Sequence, residues 1–255
     1  MLEHIIASNL MKHLEDNNML FDLQHGFRQH RSCETQLLSL THQLTQARQA
    51  KVQTDMIVMD FAKAFDKVSH SRLMLKLDWM GVRGNTHRWI QDFLTDRSQR
   101  VVLDHDSSEV APVTSGMPQG TALGPVLFLV YIYDLSDRVK HSTVHLFADD
   151  CVLQKEIRTT ADAEALQQDI NHLAQWEQDW LMEFHPQKCE VMTLPASRRP
   201  IRYDYVLHGH KLERADAVKY LGVTVSSDLK HPHRQHHQKG HQHTKPNKKK
   251  PPHQG

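Results

Sequence analysis

The sequence has no excess of charge of either sign. Its 255 residues contain 31 Lys and Arg against 30 Asp and Glu, which leaves a formal charge of +1. This balance excludes a uniformly basic nucleic-acid-binding surface and the strongly acidic composition of many disordered chains. Any site for a polyanion must therefore be a local patch. The length suffices for one large domain or two small ones, with a sizeable core.

Cysteine is also scarce. The three cysteines, Cys33, Cys151 and Cys189, lie far apart in the sequence and are odd in number. No CxxC pair occurs, so the pattern argues against both a disulfide framework and a zinc finger. We expect reduced thiols, as in an intracellular protein.

No apolar run is long enough to span a membrane. The longest, ALGPVLFLVYI from Ala122, is too short, and Gly124 and Pro125 interrupt its beginning. The N-terminus lacks the basic region, apolar block and cleavage site of a secretory signal. These absences predict an intracellular protein, in the nucleus or the cytoplasm, with no membrane partner.

Apolar residues at helical spacing predict several helices. The first runs from Leu2 to about Asn17, and a later one carries Trp176 and Trp180, which we interpret as core residues. Further helices are predicted in CETQLLSLTHQLTQARQA, SHSRLMLKLDWMG, residues 86–95 and TALGPVLFLVYIYDL. The last of these is apolar almost throughout, which is typical of a buried helix.

Short apolar segments bounded by charged or turn-forming residues predict strands. They are DMIVMD, which ends at Asp60, and later KCEVMTL, YVLHGHKLE and VKYLGVTV. QRVVLDHDSSEVAPVTSG has the pattern of a hairpin with a polar loop. HLFADDCVL predicts a hairpin with Asp149 and Asp150 at its tip. Taken alone, this acidic tip is an ordinary Asp-containing turn.

The last part of the chain has a different composition. From Lys230 onward the sequence is dominated by His, Lys, Gln and Pro and has no apolar periodicity, so we expect a disordered tail over residues 231–255. Its histidines have no spacing that defines a closed metal site. The lysines at 248–250 would add a weak attraction for polyanions.

The aspartates suggest a second interpretation of the acidic hairpin. If the strand that ends at Asp60 is a neighbour of the hairpin, the carboxylates of Asp60, Asp149 and Asp150 meet in a small volume. Like charges at close range raise one another's pKa unless cations neutralise them. Oxygen ligands without His or Cys favour Mg²⁺ or Mn²⁺ over zinc. Two such ions about 4 Å apart are suited to phosphoryl transfer.

A loop rich in Gly and Pro, SGMPQGTALGP, begins at Ser115 and leads into the apolar helix. Glycines let a backbone approach a ligand closely, and free N–H groups at a helix start attract an anion. The alternative is an ordinary turn that caps the helix.

Six segments in order resemble one protein family. QHGFRQHRSCETQLL, MIVMDFAKAFDKVSH, SGMPQGTALGPVLFLVYIYDL, HLFADDCVL, FHPQKCEVM and YLGVTVSSDLK are similar to successive motifs of the reverse transcriptase domain of non-LTR, LINE-type and Jockey-like, retrotransposons. The resemblance runs from about Leu2 to Lys230. It implies an α+β fold, a polymerase palm in which an antiparallel sheet packs on helices. The implied divisions are partial fingers over residues 1–55 and a palm over residues 56–230.

The resemblance implies an RNA-directed DNA polymerase with Mg²⁺, or Mn²⁺, as cofactor. The implied metal ligands are Asp60, Asp149 and Asp150, with the backbone carbonyl of Phe61 as an extra ligand. Lys188 resembles the lysine that protonates the pyrophosphate leaving group. The implied partners are an RNA template, a DNA primer and a dNTP, whose α-phosphorus the primer 3′-hydroxyl attacks.

Further residues correspond to the substrate contacts of the family. Phe65 matches the bulky residue that excludes a ribose 2′-hydroxyl, although a core aromatic is its alternative. Gln119 and Gly120 match a loop that contacts dNTP and template, and the segment 220–222 (Tyr220, Leu221 and Gly222) matches a primer-positioning element. Arg28 and Arg31 are placed to contact phosphate, with a solvated basic turn as the equal alternative. Asp66 is assigned to helix capping or to support of the neighbouring ligands.

The sequence departs from the family pattern at both ends. The upstream fingers motif with its triphosphate-contacting arginine is missing, and the His- and Lys-rich tail stands where thumb helices should follow. Tyr133 and His185 also stand where the family usually has Asn. We therefore expect weakened nucleotide and primer binding. A catalytically inactive remnant that binds nucleic acid or protein, and a palm-type cyclase, are the alternative functions.

Overall fold

A computed structural model describes residues 1–104 and 106–229 of the chain. Its helices are α1 (Leu2–Asp16), α2 (Cys33–Gln49), α3 (Ala64–Lys67), α4 (His70–Trp79), α5 (Gly84–Leu94), α6 (Leu123–Ile132) and α7 (Thr160–Trp180), with 3-10 turns at Ser136–Arg138 and Pro186–Lys188. The sequence predicted the long helices within a few residues. The predicted tail, residues 231–255, lies outside the described residues.

The main sheet has five strands. They are β1 (Gln53–Met59), β6 (Thr143–Phe147), β7 (Asp150–Ile157), β8 (Glu190–Leu194) and β11 (Glu213–Arg214), and their order across the sheet is β11-β8-β1-β7-β6. β1 pairs antiparallel with both β7 and β8, and β6 pairs antiparallel with β7. β11 runs parallel to β8. The central place of β1 explains the almost continuous apolar sequence of DMIVMD, because this strand is covered on both faces.

Alternate residues of these strands belong to separate halves of the core. Ile57, Leu153 and Val191 face a large apolar cluster that includes α1 and the helices α4 to α7. Met56 and Val152 face a smaller cluster formed with α2 and the C-terminal strands. Because successive side chains of a strand point to opposite faces, the sheet separates these two layers.

The apolar helix and the tryptophans lie where the sequence predicted them. In α6 all residues except Pro125 are buried. Trp176 and Trp180 of α7 are also buried, so they belong to the core and offer no stacking platform for a ligand. These helices, together with α4, form the layer that supports the sheet.

Several shorter elements differ from the prediction. VKYLGVTV is a hairpin rather than one strand, with β12 (Ala217–Tyr220) and β13 (Val223–Ser226) joined by Leu221 and Gly222, both at positive φ. This is the geometry of a two-residue turn between strands. The hairpin after α5 consists of two short exposed pairs, β2 (Ser98–Gln99) with β5 (Ala111–Pro112), and β3 (Val102–Leu103) with β4 (Asp106–Ser107).

YVLHGHKLE is also divided. It forms a small hairpin of β9 (Val206–Leu207) and β10 (His210–Lys211), after which β11 joins the main sheet. The predicted boundary between residues 55 and 56 falls inside β1, and α1 packs in the same core cluster as the palm helices. Among the described residues, no helix is long and apolar enough to cross a membrane.

Candidate active site

The candidate site lies at the end of the sheet where β1 stops and β7 begins. Met59 of β1 pairs with Cys151 of β7, so Asp60 and Asp150 are the next residues outward on adjacent strands. Phe147 pairs with Asp150 across the β6–β7 hairpin, which leaves Ala148 and Asp149 as its turn. We call Ala148–Asp150 the acidic turn. The strand order thus brings together the three aspartates that the sequence singled out.

The carboxylates influence one another's protonation. Desolvation, followed by the nearby charges of Asp149 and Asp60, raises the pKa of Asp150 to about 6. The pKa of Asp149 is also raised, chiefly by desolvation and then by Asp60. Three carboxylates at one edge therefore repel one another when they are all ionised.

One carboxylate oxygen of Asp60 accepts no hydrogen bond from the described residues. Its Oδ2 is buried and accepts none from residues 1–104 or 106–229, although the ammonium of Lys188 lies 3.4 Å from it. Lys188 is therefore beside Asp60. Within the described parts of the chain, no three His, Cys, Asp or Glu side chains stand ready to hold a metal ion. The aspartates are neighbours but do not form a closed cage.

Phe61 forms an isolated antiparallel bridge with Phe184, which the sequence did not predict. Its ring stacks on Phe184 with centroids 4.1 Å apart, and the N–H of Ala62 donates to the Glu183 carbonyl at 2.7 Å. The N–H of His185 donates to the Asp60 carbonyl, also at 2.7 Å. The segment 183–185 therefore fixes the backbone on which the first aspartate stands.

The carboxylate of Glu177 holds the segment 183–185 through a hydrogen bond. The Phe184 N–H donates to one of its carboxylate oxygens, and His208 contacts the other at 2.8 Å. Burial raises the pKa of Glu177. No sequence pattern indicated this role, because Glu177 lies on a helix whose buried positions are mostly apolar.

Phe65, five residues after Asp60, packs against other aromatic rings. Its ring stacks on Phe128 of α6 at 4.3 Å and meets the exposed Phe27 edge-on at 6.2 Å. The side chain is half-buried. It therefore combines a core contact with an accessible edge, so the two interpretations of this residue are compatible.

The Gly- and Pro-rich loop docks on the residues that follow Asp60. The N–H of Met117 donates to the Phe65 carbonyl at 2.8 Å, and the Ser115 hydroxyl donates to the Asp66 carbonyl at 3.0 Å. A Cβ at Gly116 would lie 2.8 Å from that carbonyl oxygen, so the close approach requires glycine. The backbone of Asp66 thus anchors the loop, while its carboxylate remains exposed.

Beyond this anchor the loop opens to solvent. Gln119 and Gly120 are exposed, and Gln119 lines an open cavity of about 690 Å³ together with Lys63 and Arg97. At the start of α6, however, the carboxylate of Glu3 accepts the Leu123 N–H at 2.9 Å. The sequence left two interpretations of this position open, an anion site and an ordinary helix-capping turn, and a side chain of α1 accepts the hydrogen bond there.

The predicted phosphate contacts of the basic turn are also occupied internally. The guanidinium of Arg28 donates to both carboxylate oxygens of Glu15, at 2.7 and 2.6 Å, and to the Phe21 carbonyl at 2.7 Å. Only 6% of its side chain is exposed. Arg31 lies beside Asp22 and donates to its carbonyl. The turn is neither a free phosphate site nor simply solvated, because its arginines stabilise the chain itself.

The predicted primer element is partly buried. The phenol of Tyr220 lies in the smaller core cluster, and Gln36 donates a hydrogen bond to its oxygen at 3.2 Å. Burial raises the pKa of this phenol. Leu221 and Gly222, at the tip of the hairpin, are the parts of the element that reach solvent.

Comparison with known protein families identifies the family of the chain. Residues 1–225 match the family model described as reverse transcriptase (RNA-dependent DNA polymerase). The chain belongs to the reverse transcriptase family. In this family context, the site built from Asp60 and the acidic turn lies in the reverse transcriptase domain itself.

Relatives of this reverse transcriptase domain come from insect retrotransposons. It is 27% identical over 236 residues to the RNA-directed DNA polymerase from mobile element jockey of Drosophila melanogaster, and 29% identical over 241 residues to the probable RNA-directed DNA polymerase from transposon BS of the same species. Each match covers 89% of this chain but 26% of the relative. The chain thus spans about a quarter of the length of these relatives.

Solved structures with a similar fold include telomerases. Apo telomerase of Candida tropicalis, truncated from its C-terminal domain, matches with a TM-score of 0.57 at 10% identity, covering 87% of this chain and 43% of that one. Telomerase of Candida albicans, in complex with a fragment of telomeric RNA, matches with a TM-score of 0.56 at 11% identity, covering 89% and 38%. At this identity the likeness shows the α+β polymerase fold.

Proposed function

We propose that this reverse transcriptase domain adds deoxynucleotides to the 3′-hydroxyl of a primer by copying an RNA template. The observation that carries this proposal is the meeting of Asp60 with the acidic turn at one edge of the sheet, where desolvation and mutual repulsion raise the pKa of Asp150 to about 6. Such repulsion is costly unless a cation neutralises it. The arrangement suits a site where positive charge is bound.

The residues at this edge fit a divalent metal ion. The donors are carboxylate oxygens, and Oδ2 of Asp60 is buried without a hydrogen bond from the described residues. These are properties of a Mg²⁺ or Mn²⁺ site rather than of a zinc site. Asp60, Asp149 and Asp150 would hold the metal, with the Phe61 carbonyl as a further oxygen. When bound, such ions lower the pKa of an attacking hydroxyl and neutralise phosphate charge.

The neighbouring residues would orient the nucleotide. Phe65 lies five residues after Asp60 and is half-buried, and its ring stacks on Phe128, so it would present a rigid wall to the sugar. A 2′-hydroxyl would meet this wall, which favours dNTPs over NTPs. Gln119 and Gly120 lie on the open loop that contacts Phe65 through Met117, and would touch the base pair being formed.

Lys188 and the tip of the C-terminal hairpin would act on the product side. The ammonium of Lys188 lies 3.4 Å from Asp60 and would donate a proton to the leaving pyrophosphate. Leu221 and Gly222 would contact the primer strand. Arg28 is excluded from the proposed nucleotide contacts because its guanidinium binds Glu15.

Binding of nucleic acid without synthesis is the second candidate function. It is favoured by the internal use of Arg28 and by the absence, among the described residues, of a ready three-ligand metal group. Under this alternative the aspartates would remain without catalysis. The same assay separates the two functions.

The test is incorporation of dTTP on a poly(rA)/oligo(dT) substrate with Mg²⁺ or Mn²⁺. We expect Asp149→Asn and Asp150→Asn each to reduce incorporation by about a hundredfold or more, because the metal site loses a ligand charge. Asp204→Asn is the matched control, since Asp204 is an exposed aspartate that pairs with Lys211 and is not one of the three proposed metal ligands. No incorporation by the folded wild-type chain, with RNA binding retained, would favour the second candidate.

A further inference from the structure

The segment 23–26, which precedes Arg28, runs along β6 at the outer edge of the β6–β7 hairpin. The His25 N–H donates to the Leu146 carbonyl at 2.9 Å, and the Leu146 N–H donates to the Leu23 carbonyl at 2.9 Å. Gln24 thereby forms a parallel bridge with Leu146 of β6. This contact places Gln24 and Gly26 directly beside the acidic turn.

The side chain of Gln24 holds the first residue of that turn. Its Oε1 accepts hydrogen bonds from the Ala148 N–H at 2.9 Å and from the Gly26 N–H at 2.7 Å. Its Nε2 donates to the Ala148 carbonyl at 3.4 Å. Gln24 is only 3% exposed, so these contacts are shielded from competing water. A single glutamine thus satisfies both backbone groups of Ala148.

Ala148 needs this support because of its backbone conformation. Its φ is 51°, in the left-handed region that residues with a Cβ rarely adopt. Such conformations persist where the surroundings determine them. The hydrogen bonds of the Gln24 side chain with the N–H and the carbonyl of Ala148 help to hold Ala148 in this conformation.

Gly26 closes the contact from the other side. A Cβ at this position would lie 2.2 Å from the backbone nitrogen of Ala148, which no rearrangement of a flexible side chain can relieve. The segment is fixed in turn by Arg28, which donates to the Phe21 carbonyl and binds Glu15 of α1. The acidic turn therefore rests on a rigid support that extends to the first helix.

We propose that Gln24 is a positioning residue for the acidic turn, and that its hydrogen bonds to Ala148 set the direction in which Asp149 and Asp150 present their carboxylates. Gly26 serves the same end by allowing the close approach. The role of this arrangement in metal binding rests on the proposed function. The effect on the conformation of the turn does not.

Two variants remove the contact in different ways. Gln24→Met keeps the length of the side chain but removes its hydrogen-bonding groups, and Gly26→Ala introduces the Cβ that meets Ala148. Gln53→Met is a matched control for the glutamine. Gln53 is 5% exposed, accepts the Ile201 N–H at 2.8 Å and donates to its carbonyl at 2.9 Å, but lies at the opposite end of β1 from Asp60.

Amide hydrogen exchange, followed by mass spectrometry on peptides that cover residues 146–152, tests the proposal without any activity. We expect exchange in this peptide to be at least about tenfold faster in Gln24→Met and in Gly26→Ala than in wild type, because local opening follows the loss of local contacts. The Gln53→Met control should accelerate exchange near residues 53 and 201 and leave 146–152 unchanged. Equal exchange in wild type and in both site variants would overturn the proposal, as would the same acceleration in the control.

Mn²⁺ binding to the folded chain, measured by electron paramagnetic resonance, gives the second readout. We expect Gln24→Met to weaken Mn²⁺ binding about tenfold while Gln53→Met binds as wild type does. Unchanged Mn²⁺ affinity in Gln24→Met would contradict the positioning role. If wild type binds no Mn²⁺ and incorporates no dTTP, the proposed function fails, and the exchange measurement still decides whether Gln24 sets the turn.

Discussion

At the scale of single residues, the ionised carboxylate of Asp150 lowers the stability of the folded chain. The pKa of Asp150 is about 6 in the folded chain, against 3.8 ordinarily, so the folded state holds the proton more tightly than the unfolded state. Stability therefore falls as the pH rises from about 4 to 6 and stays lower above that range. Functional sites commonly carry such destabilising charges.

We predict that Asp150→Asn stabilises the metal-free chain. Thermal unfolding in the presence of a chelator should show a midpoint a few degrees above wild type at pH 7, because the variant removes a desolvated charge and its repulsion with Asp149 and Asp60. Near pH 4 the gain should vanish, since the carboxyl is then largely protonated in the folded state. Asp204→Asn should give no such pH-dependent gain, and a midpoint below wild type at pH 7 for Asp150→Asn would contradict the prediction.

Phe65 gives a prediction about sugar selection. Phe65→Val should raise incorporation of UTP relative to dTTP by about tenfold or more, because the smaller side chain would leave room for a ribose 2′-hydroxyl. Phe65→Tyr keeps the ring and its stack on Phe128, and should preserve the preference for dTTP. The measurement is the ratio of kcat/KM for the two nucleotides, and an unchanged ratio in Phe65→Val would mean that the ring serves packing alone.

What the sequence could and could not predict at this scale follows from the kind of contact. Asp60, Asp149 and Asp150 stand out together because all three carboxylates lie at the end or tip of apolar strands, where they meet if the strands are neighbours. The sequence analysis offered Arg28 as a phosphate contact because its actual partner could not be recognised. That partner, Glu15, lies on a different element, α1. The tertiary contact of Gln24 with Ala148 was likewise invisible, since it joins residues 124 positions apart.

At the scale of elements, a buried lysine joins three helices. Lys76 of α4 has no exposed side-chain surface, and its ammonium pairs with Asp134, just after α6, at 2.6 Å. It also lies 3.5 Å from the centroid of the Trp180 ring of α7, while Trp176 donates to the same aspartate at 2.9 Å. Burying the charge of Lys76 is favourable only while Asp134 and the aromatic rings compensate for the lost hydration.

We predict that Lys76→Met lowers the free energy of unfolding by about 3 kcal/mol, because it leaves Asp134 without its cation. Adding Asp134→Asn should restore most of the loss, since the amide oxygen can still accept the Trp176 N–H. Urea unfolding measures both variants. Lys211→Met, in an exposed pair with Asp204, should change stability by less than about 1 kcal/mol. Failure of the second substitution to restore stability would show that packing, not the charge, dominates.

The same lysine predicts a dependence on alkaline pH. Burial lowers its pKa to about 8, from 10.5 ordinarily, although Asp134 partly opposes the shift. Between about pH 8 and 9.5 the unfolded chain binds more protons than the folded one, so this lysine makes stability rise with pH. The Lys76→Met, Asp134→Asn variant should lack this rise in urea midpoint, and an identical slope in wild type and variant would contradict the assignment.

The elements themselves were predictable where one periodicity extended over a long segment. The apolar helix α6 and the central strand β1 show the patterns of elements buried on all sides. VKYLGVTV was wrongly assigned to one strand because Leu221 carries no turn signal, although Gly222 does. The hairpin becomes evident only once both residues are seen at positive φ.

At the scale of the whole molecule, near-zero net charge limits how the chain would bind nucleic acid in the proposed function. With a formal charge of +1, the chain cannot attract a polyanion over its whole surface. Lys63 and Arg97 both line the open cavity that Gln119 lines, and although the exposed Asp66 also lines it, the two cations leave its lining with a net positive charge. Attraction for the template should therefore depend on few cations.

We predict that Lys63→Gln combined with Arg97→Gln weakens binding of primed RNA template and lowers the salt dependence. The slope of log affinity against log salt concentration should decrease by about two, because two phosphates are then no longer neutralised by the protein. Lys211→Gln with Arg158→Gln removes the same charge from exposed pairs elsewhere and should leave the slope unchanged. Fluorescence anisotropy across a salt series measures both, and equal slopes would place the template on another surface.

The bond between Gln24 and Ala148 also has a consequence for the order of folding. It joins the first thirty residues to a hairpin more than a hundred positions later, so the chain must close a very long loop before the acidic turn takes its shape. Local contacts form much sooner than such distant ones. The β6–β7 hairpin can therefore exist early with its aspartates misdirected, and competence for metal binding would be among the last properties that a newly made chain acquires.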